Sequence, residues 1–348
     1  MTAVTREIPL RRRPRLGFLG AGWIGRMRMQ AVAVSGTAEV CAIADSAEQA
    51  LAEAAQIASG AELLVNLDQL LACELDGLVI ATPSALHAGQ AIAALKAGTA
   101  VFCQKPVGRS ANEVDEVIHA ARQADRLLAS DFVYRFTHGM QAVRDLIRRG
   151  DLGRVYAAEL CFHNSYGPDK PWYYNAALSG GGCVIDLGTH LVDLALWPLD
   201  FVPVRQVSSH LFRRGRSFRP SGDKEVEDFG SADLELEGGI AVHLTCSWGQ
   251  PLGCDALIRA IYHGDRGAAE FRNLDGSFFD FSAEHYEHRE RYRMCGPPDD
   301  WAGRALLDWI HRLALSNRFA ANAEEILRVA EVIDAIYSAP SASSFRSR

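Results

Sequence analysis

The stretch RLGFLGAGWIGRMRMQAV, residues 15–32, constrains the fold more than any other part of the chain. It reads as a short apolar strand at 15–19, a glycine turn, and a helix that begins near Trp23. The turn carries G-x-G-x-x-G at Gly20, Gly22 and Gly25. Each glycine has a physical reason in a nucleotide-binding unit. The first permits the tight turn, the second lets the backbone approach a pyrophosphate, and the third allows close packing of helix on strand. The first helical turn, at Trp23 and Ile24, then offers free N–H groups to phosphate oxygens. Glycine turns are common, so the motif gains weight only from its surroundings. A second apolar strand, EVCAIAD, ends in Asp45 twenty residues after Gly25. An acid at that place accepts hydrogen bonds from the adenosine ribose. It also repels a 2'-phosphate, and neither Ser46 nor Ala47 supplies the arginine that would welcome one, so NAD is expected in preference to NADP.

The alternation continues with a helix at 46–58, strands near 63–66 and at 77–82, a helix at 86–97, a strand at 100–105, a helix at 111–125 and a strand at 127–132. Repeated units of this length predict a parallel, doubly wound sheet with right-handed crossovers, the Rossmann arrangement, over residues 15–135. Ligands of such sheets lie beyond the C-terminal strand ends. Thr82-Pro83, Gln104-Lys105-Pro106 and Tyr134-Arg135 all fall there and are expected to border one crevice. Lys105 follows the apolar run AVFC and precedes a proline that stops the strand, which aims a cation into the crevice. The plainer alternative is a strand-end lysine in solvent. Thr82, Pro83, Gln104, Lys105 and His87, which opens the helix after Pro83, are cofactor-binding candidates, although local backbone or core hydrogen bonds are the simpler role of His87. Arg135 reads equally as a structural tie between domains or as a substrate contact.

After a helix at 138–149 the texture changes. RVYAAELCFHN, VEDFGSADLELEG, GIAVHLTCSW, CDALIRAIYHG and GAAEFRN read as strands of one large, mainly antiparallel sheet, giving a second, α+β domain over 136–338. Its main internal helix, 183–197, starts at the glycines of GGGCVIDLGTH. A closing helix spans 323–338, and short tails, 1–14 and 339–348, flank the whole. Asp186 and His190 stand four positions apart and share one face if that segment is helical. From the residues alone the pair is either proton-handling or part of a capped core helix. The loop NSYGPDKPWYYN, 164–175, leads into the glycines. Its Trp172 and Tyr173 suit the apolar face of a sugar or packing between domains, and Asn164 or Asn175 suit hydroxyls. His163, His243 and Trp248 lie on strands, with sheet packing as their default.

Thirty-six basic against 43 acidic residues give a net charge of -7, which disfavours nucleic acid and anionic membrane surfaces as partners. The basic run Arg11-Arg12-Arg13 is not followed by an apolar span, so a cytoplasmic location is expected. Eight scattered cysteines without metal-ligand spacing read as reduced, mostly buried thiols, and no metal site is expected.

GAGWIG, then QKP, then GGGCVIDLGTH, in this order and spacing, resemble the Gfo/Idh/MocA family of nicotinamide-dependent dehydrogenases, over about residues 14–338. The resemblance implies that Lys105 is the active-site lysine and that Asp186 and His190 are the polar face of the substrate site. His190 would be the general base, Asp186 would orient it or bind a neighbouring hydroxyl, and Lys105 would stabilise the developing alkoxide and relay the proton. It implies a small polyhydroxylated substrate, a sugar, sugar derivative or cyclitol, oxidised at a secondary hydroxyl. Gln104 departs from the family's commoner glutamate. It keeps hydrogen-bonding capacity and removes a negative charge beside Lys105. The same fold hosts NAD-using glycosidases and a dinucleotide-binding regulator, and fold does not fix chemistry. Alternating apolar residues on the strands of the second domain leave an outer sheet face to be covered, which predicts a homodimer or homotetramer.

Overall fold

The computed structural model describes residues 13–220 and 225–339. The predicted tails, including most of 1–14 and 339–348, lie outside the described residues. The first sheet contains β1 (Arg15–Leu19), β2 (Glu39–Ala44), β3 (Glu62–Leu64), β4 (Gly77–Ile80), β5 (Ala100–Cys103) and β6 (Leu128–Ser130). Its strand order is β3-β2-β1-β4-β5-β6, and every pairing is parallel. The order reverses between β1 and β4, the switch point at which such sheets bind ligands. Because helices cover both faces, the central strands are continuous apolar runs; GLVI and AVFC are buried at every position.

The second sheet contains β7 (Val155–Asn164), β8 (Val204–Arg213), β9 (Arg216–Phe218), β10 (Phe229–Leu236), β11 (Ile240–Ser247), β12 (Ala256–Gly264), β13 (Ala268–Asn273), β14 (Phe281–Glu287) and β15 (Glu290–Cys295). The order is β15-β14-β13-β12-β7-β11-β10-β8-β9. Central β7 pairs antiparallel with β12 and parallel with β11. The parallel pair follows from the long crossover between them, which carries the helical segment, β8, β9 and β10. That segment, Ala176–Leu199, has the length and apolarity of a membrane-crossing helix. Here 94% of its most apolar window is buried, so the apolarity serves the core.

Two expectations need correction. The first concerns the far part of the second domain, not the boundary near residue 135. Helix Arg304–Leu315 returns to the first sheet, where the fully buried Trp309 packs against Phe102 with ring centroids 5.8 Å apart. The first domain is therefore completed by residues far beyond 135, a long-range return that local patterning does not reveal. The second concerns the outer face of the large sheet, which is polar rather than apolar. One row across it reads Ser208, Asp233, His243, Glu159, Ile261, Glu270, Glu284. Glu270 and Glu284 are buried there, and the Tyr286 hydroxyl bridges them.

Candidate active site

A cleft of about 1180 Å³ runs along the C-terminal ends of the first sheet and is roofed by residues of the second domain. At one end lies the glycine turn. Gly20 has φ +96°, and a side chain there would meet the Ala81 carbonyl oxygen at 2.5 Å. A Cβ at Gly25 would lie 2.2 Å from the Gly20 carbonyl oxygen, whereas Gly22 faces open space. Gly22 caps helix Trp23–Ser35 without a side-chain hydrogen bond, and no acid stands in the first turn. Trp23, Ile24, Thr82 and Pro83 also line the cleft. Asp45, just past β2, accepts from the Ala21 amide at 2.7 Å through Oδ2 and from the Ala47 amide at 2.9 Å through Oδ1. Each carboxylate oxygen retains a lone pair for a ribose hydroxyl. These residues fit the phosphates and ribose of a dinucleotide: open backbone at Gly22, a free helix N-terminus and an acid at the second strand end.

At the other end, β5 delivers Lys105 through the QKP turn, whose Lys105–Pro106 bond is cis. Lys105 Nζ donates to Asp186 Oδ1 and to the Asp186 carbonyl, both at 2.7 Å. Trp248 Nε1 donates to the other carboxylate oxygen at 3.2 Å. Asp186 is thus held from both domains and is not a passive cap; its carboxylate pairs with Lys105 and Trp248 and not with the His190 ring, contrary to the expectation that it orients that ring. The segment that carries it differs from the expected regular helix. Val184–Gly188 is a π-helical turn that runs into α-helix Thr189–Leu196. Such turns are frequent at functional sites because they re-aim side chains. His190 follows in the first α turn, its ring edge-on to Tyr134 at 5.0 Å and without a hydrogen bond to the side chain or backbone of another described residue. Burial, with help from the charges of Lys105 and Arg28, holds its pKa well below the usual imidazole value. The ring is therefore neutral at pH 7.

Gln104 donates to Asp131 Oδ2, which also accepts from Arg28 Nε at 2.7 Å. Arg28 and Asp131 are both buried and line the cleft beside His190. A carboxylate therefore stands next to the QKP turn after all, contributed by the end of β6 instead of by position 104. Sequence reasoning missed Arg28 and Asp131, and Trp248, expected to pack within a strand, instead lies just past β11 and holds Asp186; only the tertiary fold joins these residues.

Trp172 and Tyr173 stack with centroids 3.8 Å apart and both line the cleft, as does Asn164. The Asn164 side-chain oxygen is buried without a partner. Asn175 is not a cleft residue; its side chain caps helix Ala176–Ser179. Arg135 is likewise removed from the substrate-contact candidates. Its half-buried side chain forms ion pairs with Asp193 and Glu325 and lies over the Phe132 and Trp197 rings, so it ties the 3-10 turn Val133–Phe136, which follows β6, to the second domain. Buried His87 borders the cleft, but its Nδ1 faces the Pro106 carbonyl at 2.7 Å and its Nε2 the Thr82 carbonyl at 2.6 Å. The ring donates to one of these carbonyls, and both nitrogens face backbone of the Thr82 and QKP turns, so it ties the two turns together and presents neither nitrogen to a cofactor. His163 bonds Ser247 and Thr245 within the sheet. All eight cysteines are free, although only Cys103, Cys183 and Cys246 are buried.

The model of the NAD-binding Rossmann oxidoreductase family matches residues 14–132, and that of the Gfo/Idh/MocA C-terminal domain matches residues 140–270. The chain belongs to the Gfo/Idh/MocA family. It is an NAD(P)-dependent oxidoreductase acting on CH–OH groups. It is 27% identical over 266 residues to the D-glucoside 3-dehydrogenase of Escherichia coli (strain K12), covering 73% of this chain and 76% of that one. It is 29% identical over 260 residues to the inositol 2-dehydrogenase of Rhizobium meliloti (strain 1021), covering 74% and 76%. In fold it resembles KijD10, a 3-ketoreductase from Actinomadura kijaniata solved with NADP and TDP-benzene. That match has a TM-score of 0.81 and 20% identity, covering 94% of this chain and 98% of that one.

Proposed function

We propose that this Gfo/Idh/MocA oxidoreductase is an NAD-dependent dehydrogenase that oxidises a secondary hydroxyl of a sugar, sugar derivative or cyclitol, or reduces the corresponding ketone. One observation carries the reading: the Lys105–Asp186 ion pair, formed across the domain boundary, lies in the same cleft as a neutral, unpartnered His190. Neutral His190 takes the hydroxyl proton. The Lys105 ammonium, held by Asp186, stabilises the charge that develops on the oxygen. Trp248 fixes the far oxygen of Asp186, so the lysine stays in place as the proton leaves. Trp172 and Tyr173 offer an aromatic wall for a pyranose or cyclitol face. Bound NAD supplies the hydride acceptor.

Asp45 supports NAD over NADP, since its carboxylate stands where a 2'-phosphate would bring a second negative charge. The D-glucoside and inositol dehydrogenase relatives support a polyol substrate. The test is a screen of sugars, glycosides, cyclitols and their keto forms with NAD(H), followed by absorbance of the reduced nicotinamide. Stoichiometric NADH formation with one class of polyol is expected. Release of a reducing sugar without NADH accumulation would overturn the reading in favour of a glycosidase.

A further inference from the structure

The glycines before Asp186 are held by a residue that no motif marks. Gly182 and Val184 both donate their amides to Glu227 Oε1 at 3.0 Å, and Cys183 donates to the Glu227 carbonyl oxygen at 3.2 Å. The next amide, Ile185, donates to the Tyr337 hydroxyl at 3.2 Å, and that hydroxyl donates to Glu227 Oε1 at 2.8 Å. A helix leaves its first four N–H groups without intrahelical partners. Here Glu227, just ahead of β10, and Tyr337, on the closing helix Glu324–Ser338, take four consecutive amides between them. Only glycine fits, because a Cβ at Gly182 would lie 1.9 Å from the Glu227 carbonyl oxygen and one at Gly181 would lie 2.0 Å from the Tyr337 hydroxyl. Asp186 is the residue that follows, and its own amide donates back to the Gly182 carbonyl at 3.1 Å.

We propose that Glu227 is a positioning residue for the reaction: its buried carboxylate, together with Tyr337, fixes the turn that aims Asp186 at Lys105. This rests on the proposed roles of Lys105, Asp186 and His190. The geometry explains two of the three glycines before the acid, Gly181 and Gly182, since the clamp needs close approach from two directions. It also makes the site sensitive to the charge on Glu227, because a neutral carboxyl accepts amide hydrogens more weakly than a carboxylate does. Glu227 is 1% exposed, and burial raises its pKa to about 7, against the lowering effect of the amides and Tyr337. The ionisable groups that face this cluster are Tyr337 from the closing helix, Cys183 from the turn, Cys246 from β11 and the adjacent Asp228.

The experiment compares wild type, Glu227→Gln, Glu227→Leu and Tyr337→Phe in NAD affinity, melting temperature and turnover across pH 6–9. NAD affinity should stay within a few-fold in all. Wild-type turnover should fall through an acid limb near pH 7, and Glu227→Gln, which keeps an acceptor without the charge, should lack that limb. Glu227→Leu removes the acceptor. Displacement of Asp186 by about 1 Å should then cost on the order of 10²-fold in turnover per folded molecule. Tyr337→Phe, the milder variant should the Glu227→Leu protein not fold, should lower turnover by a smaller factor in the same direction. Glutamine, leucine and phenylalanine variants that change only the melting temperature, with the wild-type pH profile and turnover, would overturn the proposal. A His190→Asn control separates the two levels. If it too remains fully active, the assignment of the catalytic residues has failed; if it is inactive while the Glu227 variants behave as wild type, only the clamp has.

Discussion

Replacing Asp131 with asparagine should be among the most destabilising isosteric changes in this protein. Arg28 and Asp131 pair at 2.7 Å with side chains 5% and 0% exposed, and Gln104 adds a third member to the cluster. Asparagine preserves the shape and removes the charge, leaving the Arg28 guanidinium buried without its counter-ion. Breaking a buried pair in this way costs about 3–5 kcal/mol. At roughly 2–4 °C per kcal/mol for a domain of about 150–250 residues, the melting temperature should fall by about 6–20 °C. The companion variant Arg28→Met/Asp131→Leu removes both charges, and such replacements are often neutral or stabilising. The double variant should therefore be more stable than Asp131→Asn, although it loses the partner of Gln104. Urea unfolding of wild type, Arg28→Met, Asp131→Leu and the double variant, with unchanged m-values, gives the coupling directly, with Asp131→Asn measured beside them. An Asp131→Asn protein within about 0.5 kcal/mol of wild type, the spread of an ordinary surface substitution, would refute the reasoning, as would a double variant as unstable as the two singles added.

Three further outcomes follow from the same geometry. Asp45→Ala should weaken NAD and narrow its advantage over NADP, and calorimetry that finds wild-type NADP binding as tight as NAD would remove the argument. The depressed pKa of His190 means that the folded state resists its protonation. The associated stability is fully present above about pH 6.5 and is lost as pH falls toward the lower folded value. His190→Asn should therefore flatten the loss of melting temperature below pH 6.5, whereas parallel wild-type and variant curves down to pH 5 would contradict the assignment. Assembly through the outer face of the large sheet is proposed on its half-exposed Leu257. Light scattering that reports a 38.0 kDa monomer at micromolar concentration would count against it.

The doubly wound sheet was legible because its determinants are local: apolar runs of four to six residues, glycines at fixed spacing, and an acid at the end of the second strand. Lys105, Asp186 and His190 were legible as candidates because each sits at a landmark, a strand end before proline or a helix after glycines. What the sequence hid is how distant elements meet. Glu227 lies 45 residues from Gly182 and Tyr337 lies 152 from Ile185. Arg28 and Asp131 are 103 apart, and nothing in either neighbourhood names the other. Arg135 and His87 show the converse. Both stand at crevice landmarks, yet the fold engages them with Asp193 and Glu325, and with two backbone carbonyls. Helix Arg304–Leu315 was missed for the same reason, since its partner sheet was already complete in local pattern.

The central claim is that His190 is a proton acceptor in the cleft and not a packing residue of helix Thr189–Leu196. The direct measurement takes one preparation of His190→Asn and records NAD affinity, melting temperature and turnover with the polyol found in the screen. The account predicts NAD affinity within a few-fold of wild type and turnover reduced by roughly 10²-fold to 10⁴-fold. Lys105→Met and Asp186→Asn should lose turnover non-additively with it, since the three act as a unit. A soluble, destabilised His190→Asn protein that keeps most of its turnover per folded molecule would contradict the account and return His190 to the core.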